Sequence, residues 1–167
     1  MGKAFSPATL TSPNNYFENF APGDLWRHAR GKTINEMDNV LITNLVLNTA
    51  EAHFNEDQMK KSDNGMFSQR VVFGGINLSF VLGLAAQDTG EQVLRELELD
   101  KVRLTHPVYH CDTLYAFTEV LEASDSDRDD AGIVRFHHFG INQDDELCVM
   151  AERLVLMKRR SHWAKAG

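Results

Sequence analysis

Along this chain apolar residues recur first at helical spacing and later at every second position. Thr33 has the chemistry of a helix N-cap, and Glu36 three residues on completes a capping box. Ile34, Met37, Leu41 and Leu45 follow at helical spacing, with Val40 and Leu47 flanking the stripe. They predict a helix that buries this face and ends near Asn48. Residues 48–64 are polar and aperiodic, and Ser62-Asp63-Asn64-Gly65 reads as a turn. Gly74-Gly75 then opens the most apolar stretch of the chain, in which Ile76, Leu78, Phe80, Val81, Leu82, Leu84, Ala85 and Ala86 crowd nearly every side. A run this long and this rich in Leu and Ala predicts a buried helix rather than a strand, ended by Thr89-Gly90.

The rest of the pattern is of strands. Segments 93–105, 113–123, 132–142 and 146–159 are four candidates, joined by turn-like sequences at 110–112, 124–130 and 143–145. The third alternates Ile133, Arg135, His137, Phe139 and Ile141 against Val134, Phe136 and His138. His137 and His138 therefore face opposite sides of one strand. Short connections imply antiparallel pairing. Upstream, Pro22-Gly23 marks a turn, and Leu25 to Lys32 is a weaker candidate for a first strand. A very apolar helix needs a sheet curled about it, so the fold class is α+β.

Composition narrows the function. The 167 residues carry 17 Lys and Arg against 24 Asp and Glu, a net charge of −7, with 43% hydrophobic and 25% charged residues. That balance fits one globular domain and argues against disorder. An acidic chain without a basic stripe is a poor nucleic-acid binder. Two cysteines form no disulfide framework, so a reduced, cytoplasmic setting is expected. No apolar run is long enough to cross a bilayer, and the first 15 residues lack a secretory signal's apolar core. Residues 1–15 are expected to be a loose arm, 16–160 a single domain and 161–167 a tail.

Several metal-like groupings fail on inspection. Asp125, Asp127 and Asp129 mimic the start of a calcium loop, but Asp130 stands where glycine is needed and Phe136 where the closing Glu should be. His106, His110, Cys111 and Asp112 are separated by a strand end and a turn, so no metal site is expected there. Lys158, Arg159, Arg160 and Lys165 make a small basic end, read as a solvated terminus in preference to a phosphate contact. Phosphate-binding glycine loops and the serine-hydrolase elbow are absent.

Four stretches, taken in order, carry a family resemblance. They are Tyr-Phe-Glu-Asn-Phe-Ala-Pro-Gly-Asp-Leu at 16–25, Asn-Thr-Ala-Glu-Ala-His-Phe-Asn at 48–55, Arg-Val-Val-Phe-Gly-Gly-Ile at 70–76, and Val-Arg-Leu-Thr-His-Pro-Val-Tyr-His-Cys-Asp-Thr-Leu at 102–114. Together they resemble the MaoC-like dehydratases, single-domain relatives of (R)-specific enoyl-CoA hydratases. The resemblance implies a hot-dog fold, a long central helix wrapped by a five-stranded antiparallel sheet. It implies edge-to-edge pairing as a homodimer and an acyl-CoA substrate held in a tunnel at the pairing surface. It also implies hydration of a 2-enoyl-CoA or dehydration of a 3-hydroxyacyl-CoA, with no metal and no cofactor beyond the coenzyme A of the substrate.

The resemblance assigns roles residue by residue. His53 matches the family's catalytic histidine and would be the general acid/base. Asn48 stands where the family has its catalytic Asp; an amide cannot act as a base, so Asn48 would orient the water. Ala50 and Glu51 replace an Asn-Pro pair, and Glu51 is a candidate for the missing carboxylate. Gly74 and Gly75 would present backbone N–H groups to the thioester oxygen. Phe73-Gly74 replaces a usual His-Gly, and Cys111 replaces a usual Gly. Asn-Thr-x-x-x-His variants of the family are associated with branched or dicarboxylic acyl-CoA such as mesaconyl-CoA. Two other readings stay open: a hot-dog thioesterase, and a non-catalytic acyl-CoA-binding subunit.

Overall fold

The computed structural model describes residues 6–7, 12, 14–61 and 67–164. In chain order the elements are β1 (Ser6–Pro7), a 3-10 turn (Phe17–Asn19), β2 (Leu25–Thr33), α1 (Glu36–Leu45), α2 (Glu51–Phe54), α3 (Glu56–Lys61) and α4 (Gly74–Thr89). The second part is β3 (Val93–Leu104), β4 (Thr113–Asp125), β5 (Ala131–Ile141), β6 (Leu147–Lys158) and α5 (Arg160–Trp163). The sheet order is β1-β2-β4-β5-β6-β3. Five strands pair antiparallel, and the two-residue β1, in the expected arm, adds parallel to β2. The turn expected at 62–65 lies outside the described residues.

The alternating residues of β5 point as the period demands. Val134, Phe136 and His138 are fully buried, and Phe136 joins Phe20, Val120, Val155 and Met157 in one core cluster. α4 runs across the concave face against β2, β4, β5 and β6. Ile76, Val81 and Ala85 are its buried ridge. Gly140 lets that ridge close on the sheet, since a Cβ there would stand 2.4 Å from Val81. One side of α4, through Ser79, Gly83 and Gln87, remains exposed, so the helix is wrapped on most sides rather than all.

A buried polar chain pins the C-terminal end of α4. Asp88 Oδ2 lies 2.5 Å from His28 Nδ1, His28 Nε2 lies 2.7 Å from Thr118 Oγ1, and Thr118 Oγ1 lies 2.8 Å from His138 Nδ1. Thr118 and His138 are directly opposite on β4 and β5. Beside this chain, Arg153 on β6 donates to the carbonyl of Thr89 and pairs with Glu96 on β3.

Four local expectations are corrected. The cap of α1 is Asn35 with Asp38, not Thr33 with Glu36, because Thr33 still belongs to β2. The stripe from Met37 through Leu41 to Leu45 faces outward, and Leu47 with it; the inward positions are Asn39 and Thr43. The polar stretch after Asn48 is helical, forming α2 and α3. The basic C-terminal end is engaged internally: Arg159 pairs with Asp125 and stacks on Phe17, and Arg160 stacks on Tyr16. Lys165 lies outside the described residues. No helix among the described residues is long and apolar enough to cross a membrane.

Candidate active site

The site begins at a break in the helical chain. Leu47 takes φ 57° and separates α1 from α2. Asn48 then folds its side chain back on the local backbone, where Oδ1 accepts from Ala50 N at 3.2 Å, ahead of α2. That short helix ends by presenting His53. The His53 ring donates from Nδ1 to the carbonyl of Val71 at 2.8 Å. A carbonyl can only accept, so in the neutral ring the proton sits on Nδ1 and the lone pair on Nε2.

Asn39 holds this histidine against the start of α4. It is fully buried, donates to the carbonyl of His53 at 2.9 Å and accepts from the N–H of Phe73 at 3.1 Å. Val71 N donates to Ala52 O, and Val72 N donates to Val108 O. The strip 71–73 is thereby laced to α2 on one side and to the 105–112 loop on the other. Arg70 adds a charged clasp: its side chain pairs with Glu36 and Glu56, and its N–H donates to the Glu56 carboxylate. That backbone hydrogen bond is the leading reason the Glu56 carboxyl sits below its usual range.

α4 opens at Gly74. The Phe73 N–H is taken by Asn39, while those of Gly74 and Gly75 have no acceptor among the described residues. The first N–H groups of a helix point outward and carry its positive end, so they suit a developing negative charge. A cavity of about 350 Å³ lies here, lined by His53 and Gly74 with Ala52, Val72, Asn77, Leu104 and His106 among its other walls. Leu104 crosses so near Gly74 that a Cβ there would stand 2.2 Å from it.

Of the residues expected from sequence, His53 and Gly74 thus share one cavity. Gly75 follows Gly74 in the same helical turn without lining it, and Asn48 and Glu51 do not line it either. Glu51 is exposed, on the first turn of α2. His106 pairs with Glu146, His110 with Glu36, and Asp112 accepts from Tyr109 N and Gln143, so these groups serve separate contacts. Sequence reasoning missed Asn39, Asn77 and Leu104. Asn77 had left a signal: a polar residue one turn into the most apolar stretch of the chain.

A helix wrapped by five antiparallel strands, with a histidine set beside its glycine-led tip, defines a MaoC-like hot-dog domain. The chain belongs to the mesaconyl-CoA hydratase family, whose model matches residues 7–159. It is 33% identical over 168 residues to a mesaconyl-CoA hydratase of Haloarcula marismortui, covering 92% of this chain and 45% of that protein. A MaoC domain dehydratase from Chloroflexus aurantiacus superposes with a TM-score of 0.74 at 26% identity, over 96% of this chain and 44% of that one. A Mycobacterium tuberculosis protein with a double hot-dog fold gives a TM-score of 0.79 at 19% identity, over 93% of this chain and 47% of its own. The chain spans less than half the length of each of these relatives.

Proposed function

We propose that this chain acts on acyl-CoA thioesters as a hydratase/dehydratase, interconverting a 2-enoyl-CoA and a 3-hydroxyacyl-CoA, with mesaconyl-CoA as the leading substrate. The observation that carries the proposal is the shared cavity of His53 and Gly74. In hydration, water loses a proton to His53 Nε2 while its oxygen bonds to the β-carbon. The alkene electron pair moves to the α-carbon and onto the thioester oxygen, where the N–H of Gly74, at the helix start that lines the cavity, stabilises it. The imidazolium then returns the proton to the α-carbon. No oxidation state changes, so the reaction needs no redox cofactor. The substrate preference is supported by the family match and by the Haloarcula relative.

A second hot-dog unit is expected at β3. That strand ends the sheet order, and Leu97, Leu99, Val102 and Leu104 are exposed on it. Leu104 also walls the cavity, so a unit seated there would close the acyl tunnel. The thioesterase reading draws no support from Glu51, which is exposed and does not line the cavity.

The test is direct. Crotonyl-CoA and mesaconyl-CoA are offered to the pure protein, and loss of enoyl absorbance is followed separately from release of free thiol. Loss of absorbance without thiol is expected; thiol release would make the protein a thioesterase. His53→Ala is expected to lower turnover by about 10²–10⁴-fold with unchanged circular dichroism. Full activity in that variant would move the chemistry elsewhere.

A further inference from the structure

Asn77 is a buried polar residue with an unmet requirement. It lies on α4 one turn beyond Gly74, where positions three apart share a helix face. It is 4% exposed, lines the same cavity as His53, and its Oδ1 has no hydrogen-bond partner among the described residues. An unsatisfied buried acceptor costs about 1–3 kcal/mol, so such a group calls for a functional reason.

The other polar side chains of this cavity are otherwise engaged or already assigned. Thr105 donates its hydroxyl to the carbonyl of Leu147, and His106 Nε2 lies 2.9 Å from Glu146. His53 has Nδ1 committed to Val71. Asn48, in the position from which the family's second catalytic group would reach the water, has turned its amide oxygen to Ala50 N. The cavity thus holds a base but lacks that second group, and a free carboxamide faces it from α4.

We propose that Asn77 is the catalytic residue that holds the oxygen added to the β-carbon. Its carboxamide accepts from one O–H of the attacking water and can donate to the water's oxygen; the other O–H is left for His53 Nε2. In the reverse direction the same carboxamide grips the 3-hydroxyl before it departs as water. A carboxamide performs both tasks whichever way its O and N are assigned. This inference rests on the hydratase reading and adds to it the residue that replaces the family's Asp.

The roles of Asn77 in the two directions separate the kinetic constants. In hydration the water is not part of the thioester, so losing Asn77 lowers kcat and leaves KM nearly unchanged. In dehydration the hydroxyl belongs to the substrate, so the same loss raises KM. Asn77→Leu is close in volume and removes the orphaned oxygen. We expect its melting temperature to equal or exceed that of the wild type, its hydration kcat to fall at least tenfold, and its KM for the 3-hydroxyacyl-CoA to rise. Asn77→Asp, which keeps an acceptor, is expected to retain more hydration activity than the Leu variant. Activity within twofold of the wild type in Asn77→Leu overturns the assignment while leaving the hydratase reading in place. A marked drop in melting temperature in both variants also overturns it, because Asn77 would then be structural. A wild type that hydrates neither enoyl-CoA overturns the hydratase reading, and this inference with it.

Discussion

Cys111 adopts φ 76° in the turn leading into β4, a region where a side chain costs about 1–2 kcal/mol relative to its absence. Glycine escapes that strain but loses more entropy on folding, about 0.5–1 kcal/mol. Cys111→Gly is therefore expected to stabilise the protein by about 0.5–1 kcal/mol, read as a shift in denaturant midpoint; a lower midpoint would refute the strain. The same substitution sorts the two thiols. Cys111 is exposed, while Cys148 is buried and its thiol is pushed up to about 11, chiefly by burial. A disulfide thiol reagent should label the native wild type at Cys111 and leave native Cys111→Gly unlabelled. At this scale the sequence was partly legible. His53 and the glycine replaced at 111 stood out through motif position, because those demands are local. The direction of Asn48 did not, since it depends on the left-handed residue at 47 and the helix that follows.

At the level of elements, α1 inverts its own pattern. Its apolar stripe Met37, Leu41 and Leu45 is exposed, and its buried positions are the polar Asn39 and Thr43. The inversion holds because both polar residues are satisfied: Asn39 by His53 and Phe73, Thr43 by the carbonyl of Asn39 at 2.6 Å. Periodicity alone cannot register this, because it assumes the core takes the apolar face. β3 departs in a related way, with every position from Arg95 to Leu104 exposed although its sequence reads as an ordinary strand. An exposed apolar edge strand is a template for pairing. Sedimentation is expected to give a dimer or larger assembly for the wild type, and Leu99→Lys should shift it toward a single chain. An unchanged distribution would place the contact on another surface.

For the molecule as a whole, the buried chain from Asp88 to His138 ties α4 to three strands, and its last member, His138, gives stability a pH dependence. Burial holds the pKa of His138 well below its usual 6.5, reinforced by Arg153, His28 and His137. The unfolded chain therefore takes up a proton below about pH 6.5 that folded His138 refuses. Protons then favour unfolding, so this contribution is intact above that pH and stability falls as pH drops beneath it. Each such group steepens the fall by about 1.4 kcal/mol per pH unit. His137, also lowered by burial, acts in the same direction. Denaturation of the wild type and His138→Gln at pH 7, 6 and 5 should show a shallower fall in the variant; equal slopes would mean that His138 protonates while folded.

The sequence by itself determined the strand character of β3 to β6, the wrapped helix and its glycine start, since these follow from chain geometry and from the need to bury a long apolar run. It also singled out His53, whose context is a short local motif. Tertiary structure alone decided which face of α1 turns inward, that Asn39 laces the histidine to the helix tip, and that Asn77 rather than Asn48 lines the cavity. Those outcomes depend on hydrogen bonds between residues far apart in the chain, such as Asn39 to Phe73, and no local pattern encodes such a partner.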